Sequence, residues 1–265
     1  MQSTKKISTV SIIGSGNVAT ALGIALSKAG IKILEVYSPN PDNSKLLAEK
    51  VGSGIAVSIE ELNIVSDLYI IATPDTEISN VVSKFKNIEG IVTHTSGSQP
   101  SEILGGNIKS YGVFYPVQTF TKNKIVDFKK VPICIEGSDE TISQLLVQLA
   151  NKISNNVVLL SSNQRQYLHL CAVTVNNFTN LMYNIAHDVL NDEGIDFSLL
   201  HPLIEETATK ISEVNPAEAQ TGPARRNDIS TINKQLLLLA KHPEFKKIYK
   251  LLSDQIIKKH GPKTD

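Results

Sequence analysis

The segment Val10 to Thr20 reads V-S-I-I-G-S-G-N-V-A-T and constrains the fold more than any other stretch of the chain. A short β-branched run breaks into Gly14-x-Gly16-x-x-Ala19 and then into a helical pattern. Each small residue has its own reason. Gly14 permits a tight turn, Gly16 lets the backbone come close to a bound group, and Ala19 allows helix and strand to pack closely. A helix opening near Asn17 then presents unpaired backbone N–H groups and a positive dipole end to an anion. The surroundings fit. Ile7 to Ile13 reads as a strand, and Ala19, Leu22, Gly23, Ala25 and Leu26 recur at helical spacing. Ala29-Gly30 ends the helix, and Ile31 to Tyr37 reads as a second strand. The whole is a β-α-β unit of about 30 residues, the size expected around a dinucleotide diphosphate.

Short β-branched runs continue to alternate with helical segments as far as about residue 160. Strands are expected at Asp67 to Ala72, Ile91 to His94, Tyr111 to Tyr115, Val131 to Glu136 and Val157 to Leu160. Helices are expected at Ile59 to Val65, Glu77 to Phe85 and Glu140 to Lys152, with another after Tyr37 that carries Lys45. Beyond Asn163 no strand pattern recurs. Gln164 to Asn191 reads as one long helix, Phe197 to Glu213 as a second, and Asp228 to Ala240 and Glu244 to Lys259 as two more, with a polar loop at Asn215 to Asn227. The expectation is an α/β chain: an N-terminal Rossmann domain with a doubly wound, mostly parallel sheet over residues 1–160, and an all-helical domain over 161–265.

A chain of 265 residues is large enough to bury its core without disulfides or metals, and no metal site is expected. Positive and negative side chains balance at 26 each, so no global field favours nucleic acid or an anionic membrane. No apolar run approaches the ~18 residues of a membrane span, and Met1 to Lys6 is too polar for a signal peptide. The two cysteines, Cys134 and Cys171, sit in apolar surroundings and read as buried free thiols. Together these features point to a cytoplasmic protein.

Ligands of open α/β sheets lie beyond the carboxyl ends of the strands. Four such ends carry polar clusters: Tyr37-Ser38-Pro39-Asn40, Ala72-Thr73-Pro74-Asp75, His94-Thr95-Ser96-Gly97, and Tyr115-Pro116-Val117-Gln118-Thr119-Phe120. At the second strand a carboxylate would hold the ribose of NAD, whereas Ser38 and Asn40 leave room for the 2′-phosphate of NADP. Those two residues read equally as an ordinary polar turn. In the helical half, Arg225 and Arg226 follow a Gly-Pro turn, and a guanidinium fork matches a carboxylate. Asp228 beside them reads either as part of that site or as a helix cap. His169, Asn176 and Asn177 lie seven to eight residues apart and share a face on an α-helix. An imidazole with a neighbouring carboxamide would serve a carbonyl reduction, and a helical histidine also serves simply as a core residue.

Taken together, Gly14 to Ala19, Thr73-Pro74-Asp75, His94-Thr95-Ser96-Gly97, Pro116 to Phe120, His169 with Asn177-Phe178, and Thr221-Gly222-Pro223 with Arg226 and Asp228 resemble a known group. It is the two-domain Rossmann-like oxidoreductases distantly related to pyrroline-5-carboxylate reductase, among them the alternative ketopantoate reductases. The resemblance runs through nearly the whole chain. It implies an NADP-dependent reductase of a small oxo- or imino-carboxylate, with ketopantoate the first substrate to consider, and a homodimer formed through the helical domain. Gly14, Ser15, Gly16, Asn17 and Val18 would hold the diphosphate, and Ser38 and Asn40 the adenosine ribose. Ala72, Thr73 and Pro74, then Ser96 and Gly97, would line the rest of the cofactor cleft. His169 would donate a proton, Asn177 orient the substrate, and Arg226 bind its carboxylate, with Gln118, Thr221 and Asp228 around it. The group usually has histidine where this chain has Tyr115, and glycine where it has Asn227. The first departure leaves open a nucleotide-bound sensor without turnover, and hydride exchange between NADP and a deazaflavin is a third reading.

Overall fold

The computed structural model describes residues 6–62, 65–121, 124 and 126–260. The chain divides into two compact units, residues 1–176 and 177–265. In the first, β1 (Thr9–Ile13), α1 (Asn17–Lys28) and β2 (Lys32–Tyr37) form the expected opening unit. Asn40 then caps α2 (Pro41–Val51) by accepting from the Asn43 N–H at 3.1 Å. A two-residue strand, β3 (Gly54–Ile55), follows; it is too short for its pattern to show in sequence. Next come β4 (Leu68–Ile71), α3 (Ile78–Ser83), β5 (Ile91–His94), β6 (Tyr111–Pro116), β7 (Ile133–Gly137), α4 (Glu140–Ile153) and β8 (Val157–Leu159). The strands lie in the order β3-β2-β1-β4-β5-β6-β7-β8, and only the β6–β7 pair is antiparallel.

Alternation along the strands builds a core on each face of the sheet. Ile12 and Ile70 point to one side, where Leu22 of α1, Leu47 of α2 and Leu146 of α4 cover them. Ile13, Tyr69 and Ile71 point to the other, against Ile78 and Val81 of α3 and against Leu104. The strands of the central trio are buried on both faces, which suits the mostly apolar, β-branched make-up of β1, β4 and β5.

Some expected elements differ. Residues 59–62 form turns rather than the start of a helix, and residues 63–64 of that predicted element lie outside the described residues. Two turns of helix recover too little to offset nucleation, and the buried Ile59 and Leu62 anchor the segment instead. The long helix expected over Gln164 to Asn191 has three parts: α5 (Ser162–Ala172), a π-helical stretch (Val173–Phe178) and α6 (Thr179–Asp192). The 3.6-residue spacing that put His169, Asn176 and Asn177 on one stripe therefore does not run through. Cys134 is buried as expected, but Cys171 is exposed because it lies on the outer side of α5.

The second unit is helical throughout its described residues: α6, α7 (His201–Glu213), the single turn α8 (Pro216–Ala219), α9 (Ile229–Leu238) and α10 (Pro243–His260). Pro202 and Pro216 sit in first turns, where the missing N–H costs nothing. No helix among the described residues is long and apolar enough to cross a membrane.

Candidate active site

The turn after β1 has the geometry a diphosphate requires. Gly14 has φ +120°, and a Cβ there would fall 2.3 Å from the Ala72 carbonyl oxygen, so no side chain fits. At Gly16 a Cβ would meet nothing within 4 Å, which leaves open space over the helix start. Gly16 is the N-cap of α1 and supplies no side-chain acceptor, so the first N–H groups are not capped by the protein. The Thr73 hydroxyl, just beyond the end of β4, is buried and has no hydrogen-bond partner among the described residues. An uncapped helix start and an orphaned hydroxyl at adjacent strand ends fit a dinucleotide.

Around this turn the predicted cofactor residues are knitted together. The Ser15 hydroxyl donates to Ser38 Oγ at 2.8 Å, and Ser38 Oγ also accepts from the Asn40 N–H at 3.3 Å. The Asn40 carboxamide is committed to capping α2, so only its remaining donors face outward. Asn17 Nδ2 donates to the Phe120 carbonyl at 2.8 Å and ties the helix start to the segment that follows β6. Val18 packs against the core and contributes backbone alone.

The end of β5 makes the second cluster. His94 is fully buried. Its Nδ1 accepts from the Ser96 N–H at 3.1 Å, while Nε2 lies 3.3 Å from the Pro100 carbonyl, so the ring is neutral with its proton on Nε2. Burial pushes its pKa down to about 4. Ser96 Oγ accepts from the N–H groups of Ser98 and Gln99 at 3.1 and 3.0 Å and holds a tight loop. That loop presents Gly97 to His169: a Cβ on Gly97 would lie 2.5 Å from His169 Nδ1. On the other side, the Tyr115 hydroxyl is 3.0 Å from the same nitrogen, with the rings edge to face. Burial raises the Tyr115 pKa, with a further push from Cys134 on the neighbouring strand.

What places His169 here is a latch at the start of α5. Ser161 and Gln164 form a capping box, a pairing visible in the sequence as S-x-x-Q. Ser162 bonds Glu136 of β7 through both its N–H (2.9 Å) and its hydroxyl (2.8 Å). The Ser101 N–H donates to Ser162 Oγ at 3.0 Å. Arg165, only 1 % exposed, pairs with Glu136 and donates to the Gln99 carbonyl. Gln166 Nε2 reaches the Ser98 carbonyl at 3.0 Å. Nothing in the sequence announced Arg165 or Glu136, because the pair is 29 residues apart and each sits in an ordinary amphipathic context. Tyr115 was visible only as a departure from a motif.

Other predicted site residues serve local structure as well. Gln118 is exposed, and its Oε1 accepts from the Thr119 N–H at 2.8 Å. In the second unit, the carboxylate of Asp228 caps α9, taking the N–H and the hydroxyl of Thr231 at 3.0 and 2.7 Å; those bonds hold its pKa down. The capping alternative for Asp228 is therefore the one realised, and both its oxygens are occupied. Arg225 donates to the His260 carbonyl. Arg226 is exposed and makes no side-chain hydrogen bond among the described residues, and Thr221 is also exposed. Asn177 lies within the π-helical stretch. A cavity of about 630 Å³ begins at Asn17 and runs along α1, and one of about 720 Å³ lies at the opposite edge of the sheet, between residues 85–90 and 107–110.

Residues 2–114 match the model of a Rossmann-like domain, and residues 131–256 match that of a domain of unknown function, DUF2520. A comparison with curated proteins finds no match. Among solved structures, the chain is similar to a protein of Bacteroides fragilis described as a "putative NADP oxidoreductase". The two are 38% identical with a TM-score of 0.88, over 97% of this chain and 100% of that one. It is also similar to a reductive aminase of Aspergillus terreus in complex with NADPH (14% identity, TM-score 0.75, 97% of each chain). An imine reductase of Myxococcus stipitatus with NADP+ aligns over 96% of each chain at 14% identity and a TM-score of 0.66. These last two share the fold. At 38% identity along essentially the whole of both chains, the protein belongs to the family of the Bacteroides fragilis protein, in which a Rossmann-like domain is followed by a DUF2520 domain.

Proposed function

We propose that this chain is an NADPH-dependent oxidoreductase that reduces a small oxo- or imino-carboxylate. The observation that carries the reading is a hydrogen-bonded imidazole, His169, on the same sheet edge as an uncapped glycine-turn helix. The description of the Bacteroides fragilis relative and the bound nucleotides of the two reductases support NADP as the cofactor. Ser38, in place of a carboxylate at the end of β2, supports the phosphorylated form.

When bound, NADPH supplies a hydride to the carbon of a C=O or C=N group and leaves as NADP+. The chain supplies the remainder. The α1 N-terminus and the Gly14 turn hold the diphosphate, and the Ser96–Gly97 loop walls the reaction centre. His169 gives a hydrogen bond, and then a proton, to the oxygen or nitrogen that gains negative charge. Arg226, whose exposed guanidinium makes no hydrogen bond among the described residues, binds the substrate carboxylate, and Asn177 orients the group to be reduced. Ketopantoate is the first substrate to test. We further propose a homodimer through the helical unit and a cytoplasmic setting; the exposed free thiol of Cys171 suits a reducing compartment.

The test is purified protein with NADPH against a panel of 2-oxo acids and cyclic imines, following loss of nicotinamide absorbance. Turnover that falls at least a hundredfold in His169→Ala supports the assignment; full kcat in that variant removes His169 from the mechanism. Tight NADPH binding without consumption would instead favour a sensor, the reading that Tyr115 in place of the family's usual histidine left open.

A further inference from the structure

We infer that Tyr115 is a positioning residue that sets the tautomer of His169, its phenol donating to Nδ1 so that the ring proton stays on Nε2. This rests on the reading of His169 as the donor and deepens it.

The argument begins with the protons. Tyr115 is 9% exposed, on β6, with Val113, Cys134, Leu160 and Leu168 packed around it. Burial keeps the phenol protonated. Its only hydrogen-bond partner among the described residues is His169 Nδ1, at 3.0 Å. Were Nδ1 itself protonated, two hydrogens would compete for one contact and the phenol proton would be buried without an acceptor. The satisfied arrangement has the phenol donating and Nδ1 accepting. A neutral imidazole carries one proton, which therefore resides on Nε2, and Nε2 makes no hydrogen bond among the described residues.

Gly97 makes the arrangement rigid. His169 Nδ1, Cγ and Cβ fill the place a Cβ on Gly97 would take, at 2.5–2.9 Å from it, so the imidazole packs directly on the loop with little room to turn toward it. The titratable and charged groups around the pair are Cys134 on β7, Arg165 one turn earlier on α5, and Asp75 after β4. Arg165 is already paired with Glu136, and Asp75 accepts from Ser98, so neither replaces Tyr115 at Nδ1.

The experiment is 1H–15N correlation on the full chain labelled at histidine, with His169 assigned by loss of its signals in His169→Gln. At pH 7.5 the expected pattern is an unprotonated, hydrogen-bonded Nδ1 and a protonated Nε2. Tyr115→Phe keeps the ring volume, so the core is retained and the thermal midpoint monitors folding. In that variant the Nδ1 signal shifts to that of a nitrogen without its hydrogen-bond donor. With an accepted substrate, kcat falls about three- to tenfold and KM is unchanged. A protonated Nδ1 in the native protein, or nitrogen shifts unaltered by Tyr115→Phe, would overturn the inference. Because the nitrogen shifts are read without substrate, they decide the point even if no compound in the panel turns over.

Discussion

At Gly97 the requirement for glycine comes from a neighbour rather than from the backbone. The residue carries no positive φ, and it is the imidazole of His169 that fills the place of a side chain. Gly97→Ala should push the ring aside and lower kcat about a hundredfold, as steady-state kinetics will show. Gly14 differs, since both a positive φ and the Ala72 carbonyl forbid a Cβ. His94 contributes a pH dependence of its own. Its folded pKa of about 4 lies below the usual histidine value of 6.5, so the unfolded chain binds the extra proton as pH falls. His94 therefore stabilises the fold fully above pH 6.5, and that contribution is lost as pH drops from 6.5 toward 4. Its size is on the order of 3 kcal/mol. Urea unfolding at pH 7.5, 5.5 and 4.5 should show the decline, and His94→Gln should flatten it in that window. These residues stood out in the sequence as a motif, but the division of labour between them did not. His94 lies between threonines and His169 between leucines, yet it is His94 that is fully buried and structural, while His169 is only partly buried.

The decisive contact among elements is the one between α5 and the β5 loop. Six polar bonds hold the α5 N-terminus to β7 and to residues 98–101, and the most deeply buried of their members is Arg165, paired with Glu136. Arg165→Leu leaves Glu136 desolvated and uncompensated, so it should destabilise the protein by roughly 3–5 kcal/mol in denaturant titration. Adding Glu136→Leu should restore part of that loss, and additivity of the two would refute the pairing. The same latch explains why the first compact unit extends to residue 176 instead of ending after β8. Asn227 is a smaller example. It sits at φ +55°, a conformation that glycine takes freely and asparagine tolerates. Asn227→Gly should leave the melting temperature nearly unchanged, whereas Asn227→Val should lower stability by about 1–2 kcal/mol.

For the molecule as a whole, the helical unit exposes more apolar surface than a free-standing domain tolerates. Leu199, Leu203, Leu237 and Leu238 are 62–81% exposed, while Ala224, Ile232 and Leu239 are its buried hydrophobics. Such a surface calls for a partner, and a second copy is the expected one. Sedimentation should give twice the 28.9 kDa of one chain, and Leu238→Glu with Leu203→Glu should drive the protein toward monomer or aggregate. A monomer at micromolar concentration in the native protein would refute the expectation.

Local order was legible from the residues alone. The glycine turn, seven of the eight strands and the shift from alternating to helical pattern each depend on neighbours a few positions apart, where periodicity and steric limits operate. The two-residue β3, the π-helical interruption after α5 and the turns at 59–62 depend on what packs against them, and no local pattern records that. The site divides along the same line. Gly14, Gly16 and Thr73 follow from a motif that carries its own backbone geometry. The meeting of Gly97, Tyr115 and His169 follows from Glu136 and Arg165 pairing across 29 residues, and a buried ion pair of that kind exists only once the chain has excluded water around it.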